Sequence, residues 1–223
     1  MIKALFFDIN DTILDYDLCA VDTVRRACEC LGVPYSQAVQ NEYRAADDAL
    51  WARQKAGELT IPQVLDLRNA HMMEYLGLTD GMSFQEAFIA AFAESCDLVE
   101  GAAEVLKAAK ERGYPVYSAS NGFLEVQTNR LQKAGVLQYF DRLFVSETIG
   151  YEKPDSRFFE YCLRETGYGA DEVLMIGDSV TADIKGGLNA GWNVCYLNRH
   201  GKSSGLDCKE ITSWDEFDFV WEA

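Results

Sequence analysis

Two histidines are all this chain has, His71 and His200. The first lies in a helical stretch and the second in a late loop. Both read as surface residues, so a histidine-centred mechanism has no support. Basic residues are scarce too: 20 Lys and Arg against 36 Asp and Glu give a formal net charge of −16, which opposes binding to a nucleic-acid backbone. No apolar run approaches the roughly 20 residues of a membrane span. Met1-Ile2-Lys3-Ala4 leads straight into a strand-like run, without the charged and apolar regions of a signal peptide. Cysteine is not scarce, but its seven copies show no pairing pattern, and Cys28 with Cys30 lacks the second pair or histidine cluster that a zinc site needs. The expectation is a cytoplasmic protein with reduced thiols and neither nucleic-acid nor membrane partners. The negative charge does not exclude a phosphate substrate. Screening over about 8–10 Å lets a local metal and lysine govern their own pocket.

What is present begins with alternation. In the second half of the 223 residues, strand-like runs at Val116–Ala119, Arg142–Val145, Val173–Ile176 and Val194–Leu197 are separated by helical ones. Helices are expected at Leu124–Ala134, around Arg157–Glu165 and near Thr181–Ala190, each followed by a glycine: Gly135, Gly167 and Gly191. Such alternation indicates parallel strands joined by helical crossovers, an α/β core. The stretch from about Leu18 to Asp97 differs, because it carries helical periodicity and no convincing strand. Leu18, Val21, Val24 and Cys28 recur at helical steps, as Val64, Leu67 and Leu76 do less regularly. Thr60-Ile61-Pro62-Gln63 reads as a helix start, with Thr60 as N-cap and Gln63 reaching back. An all-helical insertion between the first strand and the rest of the core follows. The chain is long enough for both.

Asp8 closes the apolar run Ala4-Leu5-Phe6-Phe7 and opens Asp8-Ile9-Asn10-Asp11-Thr12. Three later segments repeat the arrangement. Ser120-Asn121-Gly122 follows a strand, Lys153-Pro154-Asp155 precedes a helix, and Gly177-Asp178-Ser179 follows another strand. In a sheet with helical crossovers, functional groups gather at the carboxyl ends of strands, where helices begin with exposed N–H groups. Together these segments offer a carboxylate pair, a hydroxyl, a lysine and helix N-termini, equipment suited to a phosphoryl group and a divalent metal.

In order and spacing these four segments, with Val180-Thr181-Ala182-Asp183 continuing the last, resemble the haloacid dehalogenase (HAD) superfamily. The resemblance implies a Rossmann-like core with a parallel sheet, residues 1–16 and 98–223, and a helical cap, residues 17–97. Gly150-Tyr151-Glu152-Lys153-Pro154-Asp155 and Gly186-Gly187-Leu188-Asn189-Ala190-Gly191 are similar to the branch containing bacterial pyrimidine 5′-nucleotidases. By that resemblance Asp8 attacks phosphorus and forms an aspartyl-phosphate. Mg²⁺ is held by Asp8, the backbone carbonyl of Asn10 and Asp178. Ser120 and the N–H groups of Asn121-Gly122 bind phosphoryl oxygens, and Lys153 offsets their charge. Asp183 orients Lys153 or a metal-bound water, and Thr12 supports the same site. The partner implied is a small phosphorylated metabolite, and the protein is expected as a monomer or homodimer. Phe123 is the best-placed contact for a leaving group. Trp51, Arg53, Arg68 and Tyr16 are further candidates, although Trp51 reads as cap core and Arg68 as a solvated face. The aromatic tail Trp214–Trp221 is expected to pack on the core edge or to form a dimer contact.

One position departs from the pattern. Phosphatases of the superfamily carry aspartate two residues after the nucleophile, and Asn10 stands there. Asparagine has the shape but exchanges no proton at neutral pH, so both chemical steps should slow by something within about 10²–10⁴-fold. In an extended segment Asp11 points to the other side and does not substitute. A slowed phosphatase, a non-catalytic phosphate-binding relative and an engineered trap variant remain open. A 2-haloacid dehalogenase is the lesser alternative, because Asp178 is present.

Overall fold

The computed structural model describes residues 1–201 and 203–220. Its sheet is built from β1 (Ala4–Phe7), β2 (Val116–Ser120), β3 (Arg142–Val145), β4 (Val173–Gly177), β5 (Asn193–Leu197) and β6 (Lys209–Ile211). All pairings are parallel, in the order β3-β2-β1-β4-β5-β6. Strand β1 therefore lies inside, and its four residues are all buried. Its side chains divide by parity between two apolar layers. Leu5 and Phe7 join Leu174, Ile176, Cys195 and Leu197 on one face, while Ala4 and Phe6 join Val173, Met175, Val194 and Tyr196 on the other. The edge strand β6, Lys-Glu-Ile, carries too little apolar signal to be read from sequence.

The crossovers use α5 (Ala102–Glu111), α6 (Leu124–Lys133), α7 (Ser146–Ile149), α8 (Ser156–Thr166) and α9 (Gly186–Asn189). The segment ahead of α9 departs from the expected α-helix. Val180–Lys185 is a π-turn, in which the Ser179 carbonyl accepts from both Asp183 and Ile184 N–H groups. Trp214 and Phe217 of the tail are buried in the core layer that contains Phe7. Trp221 lies outside the described residues.

The chain divides into two units, Met1–Tyr16 with Cys96–Ala223, and Asp17–Ser95. Periodicity carries the insertion to residue 97. The structure ends it at Ser95, because Asp15 N–H donates to Asp97 O at 2.9 Å and Leu14 bridges Leu98, which draws residues 96–98 into the core. The second unit is helical, formed by α1 (Tyr16–Cys30, bar its first residue), α2 (Gln37–Lys55), α3 (Ile61–Leu76) and α4 (Phe84–Phe92). Helix α3 opens with the Thr60–Gln63 capping box and Pro62 in its first turn. Of the expected stripes, Val24, Cys28 and Val64 are buried. Leu18, Val21 and Leu67 are exposed. The buried faces are Cys19, Ala20, Thr23, Val24, Ala27 and Cys28 on α1, and Val64, Arg68 and Met72 on α3.

Arg68, expected on a solvated face, is sealed inside that unit. It donates to Asp47 Oδ1 (2.8 Å), Tyr43 Oη (3.2 Å) and Gln85 Oε1 (2.9 Å), and its guanidinium stacks over Phe88. Trp51 is half-buried and donates to Asp47 Oδ1, whereas Arg53 is exposed beside Glu58. His71 and His200 are both exposed, and all seven cysteines are free thiols. No described helix is long and apolar enough to cross a membrane.

Candidate active site

The β1 ladder runs on one bond past the strand, as Asp8 N–H donates to Ile176 O at 2.9 Å. The chain then folds sharply. Ile13 and Leu14 N–H groups both reach back to Ile9 O, and Asp11 adopts φ 55°, the left-handed region that a short polar side chain tolerates better than most. Asp11 is thereby turned toward the chain ahead: its carboxylate accepts from Tyr16 N–H at 2.9 Å and lies 3.4 Å from Arg199 Nη1. Arg199 also holds Asp15.

Asp8 is met by Lys153 from the loop before α8. Lys153 Nζ donates to Asp8 Oδ1 at 2.7 Å, to Asp183 Oδ1 at 2.5 Å and to the Ala119 carbonyl. Lys153, Asp8 and Asp183 are all buried. Burial alone would push the Lys153 ammonium down, but Asp183 and Asp8 outweigh it and hold it above the usual lysine range. Burial pushes the Asp8 carboxyl up, to about 7; Lys153 opposes this and Asp183 adds to it.

The stem of Lys153 starts from a fixed backbone. Asn121 clamps it reciprocally, Oδ1 accepting from Lys153 N–H and Nδ2 donating to Lys153 O, both at 2.8 Å. The Gly122 amide, expected to face a phosphoryl oxygen, instead donates to Ser146 Oγ at 3.1 Å. The β2–β3 register explains this: Ser120 pairs with Val145, so Ser146 arrives beside the turn. Ser120 ends β2 and is buried. Phe123 is the N-cap of α6 and 40% exposed, so its ring is available for contact. Tyr16, at the start of α1, is half-buried.

Asp178 follows β4 directly, and Thr12 Oγ1 lies 3.5 Å from its Oδ1. Oxygens of Asp8, Asp178 and Asp183 all lie within 4.8 Å of one another. Three carboxylates thus gather about one ammonium, and the donors are all hard oxygens, which suits Mg²⁺ over a thiophilic metal. Asp183 lies within the π-turn and closes against residue 177, which is glycine. A Cβ at Gly177 would stand 2.2 Å from Asp183 Oδ2.

Asn10 is where sequence reasoning missed its partners. Its Oδ1 accepts from Arg130 Nη1 at 2.6 Å, and Arg130 also donates to Gln127 Oε1 at 3.1 Å. Gln127 Nε2 in turn donates to Ser120 Oγ at 3.2 Å. Gln127 and Arg130 are buried on α6 beside Leu131. The available signal was polar residues occupying the inward stripe of an amphipathic helix.

Pyrimidine 5′-nucleotidase PynA of Streptococcus pneumoniae is 32% identical over 200 residues, covering 89% of this chain and 84% of that protein. Pyrimidine 5′-nucleotidase YjjG of Escherichia coli is 34% identical over 197 residues, 88% of this chain and 86% of the relative. A crystal structure of the HAD-hydrolase YfnB from Bacillus subtilis, bound to magnesium, superposes with a TM-score of 0.88 at 29% identity over 96% of both chains. The haloacid dehalogenase-like hydrolase family matches residues 2–191, and this chain belongs to it.

Proposed function

We propose that the chain is a Mg²⁺-dependent phosphomonoester hydrolase that works through an aspartyl-phosphate on Asp8, slowed by asparagine at position 10. The observation that carries the reading is the buried Asp8 carboxylate within 2.7 Å of Lys153 Nζ, beside Asp178 and Asp183. In this reading Asp8, Asp178 and the Asn10 backbone carbonyl hold the ion. Bound there, Mg²⁺ would neutralise the paired carboxylates and polarise the phosphoryl oxygens.

Asp8 Oδ forms a bond to phosphorus as the ester oxygen leaves, and water then cleaves the acyl phosphate to regenerate Asp8. Lys153 stands over the nucleophile and offsets the charge of the transferring group, with Asp183 keeping it in place. Ser120 O–H is the donor to a phosphoryl oxygen. Asn121 acts through the Lys153 backbone that it clamps. Gly122 shapes the turn, with its N–H already engaged. Thr12 steadies Asp178, and Phe123 offers a face to the leaving group. Asn10 neither protonates the leaving oxygen nor activates the water, so esters with poor leaving groups suffer most.

The names of PynA and YjjG point to pyrimidine 5′-monophosphates as the first substrates to try within the class of small phosphorylated metabolites. The test is Mg²⁺-dependent phosphate release from a phosphomonoester panel, comparing the chain as it stands with Asn10→Asp. A rise of about 10²–10⁴-fold in kcat is expected. Silence in both forms would overturn the hydrolase mechanism in favour of a phosphate-binding relative, the second reading that Asn10 itself motivates.

A further inference from the structure

The buried chain Ser120–Gln127–Arg130–Asn10 has a direction, and one residue sets it. Arg130 is fully buried, and a guanidinium carries donors only. Its contacts therefore assign the amides that it touches. The Asn10 atom 2.6 Å from Nη1 is the carbonyl oxygen, and the Gln127 atom at 3.1 Å is likewise an oxygen. With Oε1 turned to Arg130, Gln127 presents its NH2 to Ser120, 3.2 Å from Oγ. Ser120 Oγ accepts that bond, and its own hydrogen is left to donate elsewhere. By the same logic Asn10 keeps its oxygen toward the guanidinium and its NH2 on the other side of the side chain.

Ser120 ends β2, and Asn10 lies two residues beyond Asp8 at the end of the adjacent β1. Both arms of the chain thus end in donors at the carboxyl ends of the two adjacent strands, one of which leads into Asp8. Phosphoryl oxygens only accept, so two fixed donors are the complementary arrangement, preorganised before any ligand arrives. Glycine at 122 keeps the Gln127 arm in place, since a Cβ there would stand 3.3 Å from Gln127 Nε2 and crowd the amide.

We propose that Arg130 and Gln127 are positioning residues that fix the hydrogen-bond polarity of the site, so that Ser120 O–H and Asn10 NH2 are both presented as donors to a bound phosphoryl group. The inference rests on the phosphatase reading above. No proton is transferred along the chain; every bond keeps its donor throughout.

Gln127→Glu reverses one arm. Its carboxylate still pairs with Arg130 but accepts from Ser120 and turns that hydrogen inward. The probe is inorganic phosphate, titrated calorimetrically into the full-length protein with Mg²⁺. A hydrogen bond to a charged group corresponds to about 10–100-fold in affinity. Gln127→Glu should weaken phosphate binding by that factor with Tm unchanged, Ser120→Ala should match it, and the double variant should lose no more than either. Simple charge repulsion from the new carboxylate would persist without the hydroxyl, so multiplying losses overturn the polarity argument. Gln127→Met frees the Ser120 hydroxyl from its fixed partner but leaves it able to donate, and should weaken phosphate binding measurably but less than Ser120→Ala does, a comparison that holds even if the glutamate variant fails to fold. A methionine variant as weak as Ser120→Ala, or a folded glutamate variant within about twofold of wild type, also overturns it. A wild-type chain that binds no phosphate would instead remove the phosphatase reading, and the relay with it.

Discussion

Lys153 in the α/β core and Arg68 in the helical unit are both buried cations, and they keep different company. Arg68 pairs with the Asp47 carboxylate, donates to the Tyr43 hydroxyl and the Gln85 amide, and stacks over the Phe88 ring. There each ion has a partner of opposite sign. Lys153 faces two carboxylates, Asp8 and Asp183, and with Asp178 in the same group the acids outnumber it. Removing charges from water costs several kcal/mol per ion unless each is answered, so a balanced pair serves packing while an unbalanced cluster calls for another cation. Desolvation is common to both, and the surplus charge is what distinguishes a site from a structural ion pair.

The contrast breaks most visibly when each cation is deleted. Lys153→Met and Arg68→Met should each cost about 3–5 kcal/mol, because each strands buried carboxylate charge. Calorimetric unfolding with and without Mg²⁺ separates them. The ion should recover part of the loss in Lys153→Met and shift Arg68→Met no more than wild type. Equal recovery in both would end the distinction.

Next in size is the effect of Mg²⁺ on the unaltered chain. The Asp8 carboxyl sits near 7 folded and at 3.8 as an unperturbed group, so the metal-free fold holds this proton more tightly than the unfolded chain does. Its contribution is therefore present below 3.8 and lost as pH rises toward 7. A cation must displace that proton at low pH and need not at high pH. At a hundredfold excess over Kd, Mg²⁺ should add about 2.7 kcal/mol, roughly 5–10 °C in Tm. The rise should be larger at pH 8 than at pH 5.5. A shift independent of pH would argue that the ion does not contact Asp8.

The smallest expected effect sharpens the geometry. Gly177→Ala drives a methyl group into Asp183, and such overpacking costs about 1–3 kcal/mol. A weaker Mg²⁺ affinity should accompany the lower Tm, read by calorimetric titration. Unaltered Mg²⁺ binding would show that the place of Asp183 does not matter to the ion.

Much of this core was legible because its signals are local. Ala4–Phe7, Val116–Ala119 and Val173–Ile176 are short apolar runs buried on both faces, and Asp8, Ser120 and Asp178 stand at or just past their ends. The capping box at Thr60 is equally local. Other features depend on partners far along the chain. Arg68 looks like a solvated residue until Asp47, Tyr43 and Gln85 converge on it. Arg130 and Asn10 are 120 positions apart, and nothing near either announces the bond. Helix faces in the insertion are only partly legible, for a related reason. Small or polar Cys19, Thr23 and Ala27 are buried on α1 beside Val24 and Cys28, while Leu18 and Val21 are exposed, so hydrophobicity alone finds only part of the buried face.

The pair of backbone ties at the departure from the core, Asp15 N–H to Asp97 O and the Leu14–Leu98 bridge, carries a consequence for heredity. Entry and exit are stitched together inside the sheet-bearing unit, so everything between them is a closed excursion whose length matters little to loop-closure entropy. A gene can exchange that excursion for another as a cassette, with β1 still meeting β2 and β4 in the same register.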